Sequence, residues 1–199
     1  GYALKEYFAN YYLHNSDITF DYSDNSQVFH QSRAEDWKVT LIDTGLQSMT
    51  GGRVKRAKKF ISPDEPFMLT YGDGLSDVNI SELVKAHESS EKICTVTAVA
   101  PPGRFGSLKI ENNSVVEFQE KPLGDGGLIN GGFLVCKHSF FNYIEGDSTV
   151  LEQEPLRKLA SEGQLASFKH KGFWQPMDTL RDKLALEKIW DSGEAPWTK

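Results

Sequence analysis

The sequence predicts an α/β fold, and two observations carry that expectation. Phe67-Met68-Leu69, bounded by Pro66 and Gly72, has the length and apolar character of a buried strand. Ile80, Leu83, Val84 and His87 then share one helical face, with His87 expected at its boundary, and residues 93–100 alternate Val96, Ala98 and Ala100 with Thr and Val as a second strand. Strand, helix, strand in this order is a βαβ unit, so the sheet is expected to be parallel here.

The other elements follow from the same periodicities. Leu4, Phe8, Tyr11 and Tyr12 have helical spacing across residues 3–14. Residues 17–22 alternate Ile18, Phe20 and Tyr22 as a strand, Asp24-Asn25-Ser26 is a turn, and 28–30 can supply a partner strand. Residues 38–43 alternate Val39, Leu41 and Asp43, again as a strand. Thr50-Gly51-Gly52-Arg53 precedes helical character over 54–60. Beyond Pro101 to Gly106, a rigid connector carrying Arg104, the segments 107–110 and 115–118 flank Asn112-Asn113 as a hairpin. A Gly-rich loop over 124–127 leads into a strand at 133–136, a short helix from Ser139, a helix over 152–161 with Gly163 past its end, a strand at 165–168 and a helix over 180–190. No linker, repeat or low-complexity tract divides the chain, so residues 1–199 read as one domain.

Composition narrows the function classes. With 39% hydrophobic and 25% charged residues the chain has the makeup of a soluble globular protein. A net charge of −6 gives no support for nucleic-acid or membrane binding. No apolar stretch is long enough to span a bilayer, and no basic segment precedes an apolar one as in a secretory signal. Cys94 and Cys136 each sit inside an apolar run and read as reduced core residues of a cytoplasmic protein.

Chemistry is expected where charged residues meet glycine or proline at element ends. Asp73, between Gly72 and Gly74, stands just past a strand, where ligands of α/β sheets bind. A carboxylate on bare backbone suits a hard cation such as Mg²⁺; it also suits a turn in which Asp bonds its own backbone. Thr50-Gly51-Gly52 can present free N–H groups to an anion beside Arg53, or form a plain loop. Glu120-Lys121-Pro122, Asn130-Gly131-Gly132 and Pro176-Met177-Asp178 complete the set. Two carboxylates can hold one Mg²⁺, and a lysine supplies a point charge to a phosphate. Each has another reading: Lys121 as a surface residue, Glu120 as a strand end, Asn130 as a turn residue, and Asp178 as a helix N-cap. Thr179 with Asp182 also has capping-box spacing.

Six blocks in order resemble the sugar nucleotidyltransferases, the nucleoside-diphosphate-sugar pyrophosphorylases. They are Ser48-Met49-Thr50-Gly51-Gly52-Arg53, Thr70-Tyr71-Gly72-Asp73-Gly74, Pro101 to Gly106, Glu120 to Asp125 with Ile129 to Phe133, Glu152-Gln153-Glu154-Pro155-Leu156, and Gly172 to Lys183. The resemblance runs over essentially the whole chain and is strongest to the branch that makes CDP-glucose. It implies a Rossmann-like sandwich with a mixed, mainly parallel sheet. It also implies Mg²⁺-dependent transfer of a cytidylyl group from CTP to glucose 1-phosphate, with the product feeding O-antigen sugar synthesis in a bacterial cytoplasm. By resemblance, Asp73 and Asp178 would bind Mg²⁺ and Lys121 the sugar phosphate. Glu120, Asn130 and Gly131 would hold sugar hydroxyls, with Tyr71, Gly72 and Trp174 at the pocket. Arg53 would reach the triphosphate of its own or a neighbouring subunit, and the full-length protein would form a homo-oligomer.

The family's Gly-x-Gly-Thr-Arg loop after a first strand does not occur in these residues. The expectation is therefore an incomplete nucleotidyltransferase domain, weak or inactive if taken alone, whose parent is the enzyme. Two alternatives stand beside CTP-dependent transfer: use of dTTP or UTP, and a non-catalytic module that binds sugar phosphates.

Overall fold

The computed structural model describes residues 1–101, 107–111, 114–119 and 127–198, in two compact units, Gly1–Leu46 and Gln47–Lys199. In the first unit, α1 (Tyr2–Ala9) and α2 (Tyr11–His14) replace the single helix expected over 3–14. The break falls at Asn10, whose side-chain amide donates to the Glu6 carbonyl at 2.9 Å and so competes with the helical backbone. β1 (Ser16–Asp21) and β2 (Ser26–Ser32) form an antiparallel hairpin, with Ile18 opposite Phe29 and Thr19 opposite Val28. Its turn has Asn25 at φ 59° and the Asp24 carboxylate accepting from the Ser26 N–H, both suited to those residue types. Residues 38–43, expected as a strand, are irregular. Their alternation is real, but no described strand pairs with them, and a strand is defined by its partner's hydrogen bonds.

The second unit opens with α3 (Thr50–Ala57) and a 3-10 turn, Lys58–Phe60. β3 (Phe67–Thr70) and β4 (Gly74–Ser76) are separated by the Tyr71-Gly72-Asp73 turn. α4 (Ile80–Ser90) is capped by Asn79, whose side chain accepts from the Glu82 N–H at 3.0 Å. β5 (Cys94–Val99) follows, then β6 (Ser107–Glu111) and β7 (Ser114–Gln119), which pair antiparallel as the expected hairpin. The Asn112-Asn113 turn and the Arg104 connector lie outside the described residues. β8 (Ile129–Cys136), a 3-10 segment (His138–Tyr143), α5 (Glu154–Ser161), β9 (Leu165–Lys169), β10 (Trp174–Pro176) and α6 (Leu180–Asp191) complete the unit.

The main sheet has the order β3-β8-β5-β9. β3 and β5 both run antiparallel to β8, and β9 runs parallel to β5. Three of the four strands therefore share one direction, as a mixed, mainly parallel sheet requires, but β8 is inserted against them. The βαβ unit of β3, α4 and β5 is present, with β8 lying between its two strands. The reason lies in β8, which is buried on both faces from Gly131 to Cys136 and takes the central place. Leu134 and Cys136 join Cys94, Phe140, Phe141, Ile144, Leu151 and Leu159 in the core. Phe67 stacks on Phe141 with ring centres 5.0 Å apart. His87, expected at a boundary, is only 1% exposed, with Nδ1 bonded to Thr95 Oγ1 at 2.9 Å.

Candidate active site

The site is built where β3 ends. Past Thr70 the chain turns through Tyr71, Gly72 and Asp73, leaves the main sheet, and forms β4 against β10. Gly74 pairs with Pro176, Leu75 with Gln175, and Ser76 with Trp174. One step beyond the ladder, the Met177 N–H donates to the Asp73 carbonyl at 2.8 Å. Asp178 is the next residue, so two acidic residues far apart in sequence flank one backbone hydrogen bond, and both are exposed.

This short ladder is braced from its far end. Ser76 Oγ donates to the Phe173 carbonyl at 2.8 Å, and the Asp77 N–H donates to the same carbonyl at 3.2 Å. His170 Nε2 lies 2.9 Å from Asp77 Oδ1 and 3.1 Å from the Phe173 carbonyl. Gly172 is needed between them, because a Cβ there would collide with the Asp77 carboxylate and the His170 ring.

Trp174 ties the ladder to β8: its indole N–H donates to the Gly131 carbonyl at 2.7 Å. Gly131 has no room for a side chain, since a Cβ would meet Val99 Cγ1 at 2.8 Å. Gly132 has φ +82°, and the Tyr71 ring occupies the space a Cβ would need, at 2.6 Å. The Asn130 carboxamide oxygen accepts from the Gly132 N–H at 2.9 Å, so the turn role foreseen for Asn130 is present. The Tyr71 phenol donates to the Glu152 carboxylate. Burial and that carboxylate push the phenol well above its ordinary range, Asp73 adds to the rise, and the Asn130 amide opposes it.

Of the residues singled out by sequence, Tyr71, Gly72, Asp73, Asn130, Gly131, Trp174 and Asp178 thus gather around the ends of β3, β8 and β10. Glu120 and Lys121 lie outside the described residues. Arg53 sits on α3, and the glycines before it belong to the first turn of that helix, not to a loop ahead of it. Gly51 and Gly52 lie inside the helix, and the Gly51 N–H donates to the Thr149 carbonyl at 2.9 Å. A Cβ would meet Thr149 O at 2.8 Å from Gly51 and Asp147 Cα at 2.5 Å from Gly52, so the pair serves close packing. α3 is clamped further by Lys55, which donates to the carbonyls of Ile144 and Glu145, and by the Arg56–Asp147 pair at 2.6 Å.

Asp178 is not the cap of α6. Thr179 holds that position and closes a capping box with Asp182: its hydroxyl accepts from the Asp182 N–H, and the Asp182 carboxylate accepts from the Thr179 N–H. Among the described residues no cluster of three or more His, Cys, Asp or Glu side chains could hold a metal. Two carboxylates at one ladder end suit a cation such as Mg²⁺, which keeps waters and takes its other ligands from substrate phosphates. A cavity of about 430 Å³ lined by Pro66, His87, Lys137 and His138 lies at the opposite ends of β3 and β8, away from these residues.

Sequence reasoning gave no role to Glu152, Asp77 or His170. Their signal was present only as membership of a motif block, for Glu152, or as the residue just past a strand, for Asp77 and His170.

The family model described as nucleotidyl transferase matches residues 14–184. The chain is 54% identical to the glucose-1-phosphate cytidylyltransferase of Salmonella typhi over 197 residues, which is 99% of this chain and 77% of that protein. It is 39% identical over 198 residues, again 99% and 77%, to the probable glucose-1-phosphate cytidylyltransferase of Bacillus subtilis. Among solved structures, HddC from Yersinia pseudotuberculosis superposes with a TM-score of 0.53 at 22% identity, over 71% of this chain and 62% of that one. A UDP-glucose pyrophosphorylase complexed with UDP-glucose gives a TM-score of 0.55 at 12% identity, over 76% and 65%. The chain thus spans a little less than two thirds of those solved chains, and at such identities the likeness speaks for the fold. Matched from residue 14 to residue 184 by the family model, with the mixed sheet and strand-end acids described above, the chain belongs to the nucleotidyl transferase family.

Proposed function

We propose that the protein transfers the cytidylyl group of CTP to α-D-glucose 1-phosphate, giving CDP-glucose and pyrophosphate. The observation that carries this reading is the 54% identity, across almost the whole chain, to a glucose-1-phosphate cytidylyltransferase. The ladder that brings Asp73 and Asp178 to one place agrees with it.

In this reaction a sugar-phosphate oxygen attacks the α-phosphorus of CTP in line, one P–O bond forms, and the bond to the departing pyrophosphate breaks. Both reactants are anionic, so alignment and charge screening outweigh acid–base work. Asp73 and Asp178 would hold Mg²⁺, which when bound neutralises phosphate charge. Lys121 would meet the sugar phosphate, and Arg53 the triphosphate. Glu120, Asn130 and Gly131 would face the sugar hydroxyls. Tyr71, held by the Glu152 carboxylate, and Trp174, held by the Gly131 carbonyl, would form the wall. The product would feed O-antigen sugar synthesis, as the resemblance implies. Cys94 and Cys136 are buried on paired strands, and a cytoplasmic setting belongs to the same proposal, as the resemblance implies. Assembly of several copies belongs to the same proposal, supported by the exposed Phe20, Tyr22, Val28 and Phe29 of the hairpin.

The test is turnover of the natural full-length protein with glucose 1-phosphate and CTP, UTP or dTTP in parallel, with sugar-nucleotide and pyrophosphate measured. CTP is expected to exceed the other two by about tenfold or more. A preference for UTP or dTTP overturns the choice of base. No turnover with any of the three, with glucose 1-phosphate still bound, gives the binding-module reading instead.

A further inference from the structure

Glu152 belongs to the Glu-Gln-Glu-Pro block that the reaction leaves without a role. Its carboxylate joins two parts of the second unit. One oxygen accepts from the Thr50 hydroxyl at 2.8 Å, and the other accepts from the Tyr71 phenol. Thr50 opens α3, the helix that carries Arg53. Tyr71 opens the turn that carries Asp73.

Glu152 is exposed, so both bonds compete with water. What favours them is that the partners are already fixed. The Leu151 N–H donates to Thr50 Oγ1 at 2.9 Å, which leaves the Thr50 proton to point at the carboxylate. The Tyr71 ring is seated on Gly132, whose positive φ and missing Cβ make the space. The entropy of ordering two hydroxyls is therefore small when the bridge forms. An ionised carboxylate that accepts two hydroxyl protons makes stronger bonds than neutral pairs do.

We propose that Glu152 is a positioning residue: it fixes the Tyr71 phenol at the wall of the sugar-phosphate site and couples that wall to the start of α3. This rests on the cytidylyl-transfer reading for its kinetic consequence, but the bridge itself does not. Glu152 acts through Tyr71, so its loss loosens the pocket wall in ground state and transition state alike. Such a loss appears in KM and leaves kcat nearly unchanged.

The experiment compares Glu152→Gln, Tyr71→Phe and the double variant in the natural full-length protein. Glu162→Gln is the control, because that carboxylate accepts from the Tyr143 phenol at 2.5 Å beyond α5 and touches none of the site. Glu152→Gln is expected to raise KM for glucose 1-phosphate about tenfold, with kcat held within about threefold. The double variant is expected to lie within about twofold of the worse single one, because both changes act on the same bond: Tyr71→Phe removes its donor, and Glu152→Gln takes the charge from its acceptor. Glu162→Gln is expected to match the wild type. A Glu152→Gln enzyme with unchanged KM, or single losses that multiply in full, overturns the proposal. The bridge is also read without turnover. With tyrosine labelled at Cζ, the carbon resonance that disappears in Tyr71→Phe is expected to shift in Glu152→Gln. If that resonance does not move, no bridge exists in solution. If it moves while the wild type makes no CDP-glucose, the bridge stands and the reaction assigned to the site falls.

Discussion

Asp178 precedes the cap of α6, and the two neighbours divide the work between them. Thr179 and Asp182 satisfy the helix end, so the helix has no need of the Asp178 carboxylate as a cap. Thr179→Ala should cost about 1 kcal/mol in urea unfolding. A midpoint unmoved by Thr179→Ala would mean that the capping box does not form in solution. His87 gives a second test at this scale. Burial, with the Lys137 ammonium beside it, holds the imidazole below its ordinary value of 6.5, against an opposing pull from Glu88. The unfolded chain takes up a proton below 6.5 that the folded chain refuses, so stability is full above that pH and falls as pH drops toward the folded value. The urea midpoint should fall between about pH 7.5 and pH 5.5, and His87→Gln should flatten that slope. An unchanged slope would mean that His87 titrates alike in both states. Asp73 and Asp178 were legible as candidates because glycine or proline at an element end is a local signal. Glu152 was not, because its partners Thr50 and Tyr71 are distant in sequence, and no spacing rule reports a bond that only the fold creates.

At the level of elements, strand and helix periodicity was informative wherever a partner existed. The hairpin of β1 and β2, the strands β3 and β5, and helices α4 and α6 lie where the sequence reading placed them, while β8 begins at Ile129, four residues before the strand expected at 133–136. Residues 38–43 show the limit, since alternation without a described neighbour yields no strand. The start of α3 shows another. A Thr-Gly-Gly run reads as a loop, because glycine disfavours helix by about 1 kcal/mol, yet close packing against Asp147 and Thr149 selects glycine inside the helix. Gly52→Ala should therefore destabilise the protein by about 1–3 kcal/mol, although alanine is the better helix former. Stabilisation on thermal or urea unfolding would show that α3 does not sit that close to 147–149. The three-residue ladder of β4 and β10 is too short to leave a periodic signature, yet it does most to assemble the site.

Across the whole molecule, the order β3-β8-β5-β9 could not be read from the sequence. Local pattern shows that strands exist, and the choice of neighbours depends on which faces the rest of the chain buries. The family supplied what the pattern could not. A chain with net charge −6 that joins two anions must concentrate positive charge locally, which is the part assigned to Arg53, Lys121 and a divalent cation between two aspartates. The most direct measurement is the rate of CDP-glucose formation from CTP and glucose 1-phosphate, with Mg²⁺ titrated, in the natural full-length protein and in its Asp73→Asn and Asp178→Asn variants. The wild type should turn over only with the cation present. Each variant should lose about a hundredfold or more at saturating Mg²⁺ while keeping its fold. Wild-type rates in either variant, or turnover indifferent to the cation, would contradict the assignment of both acids.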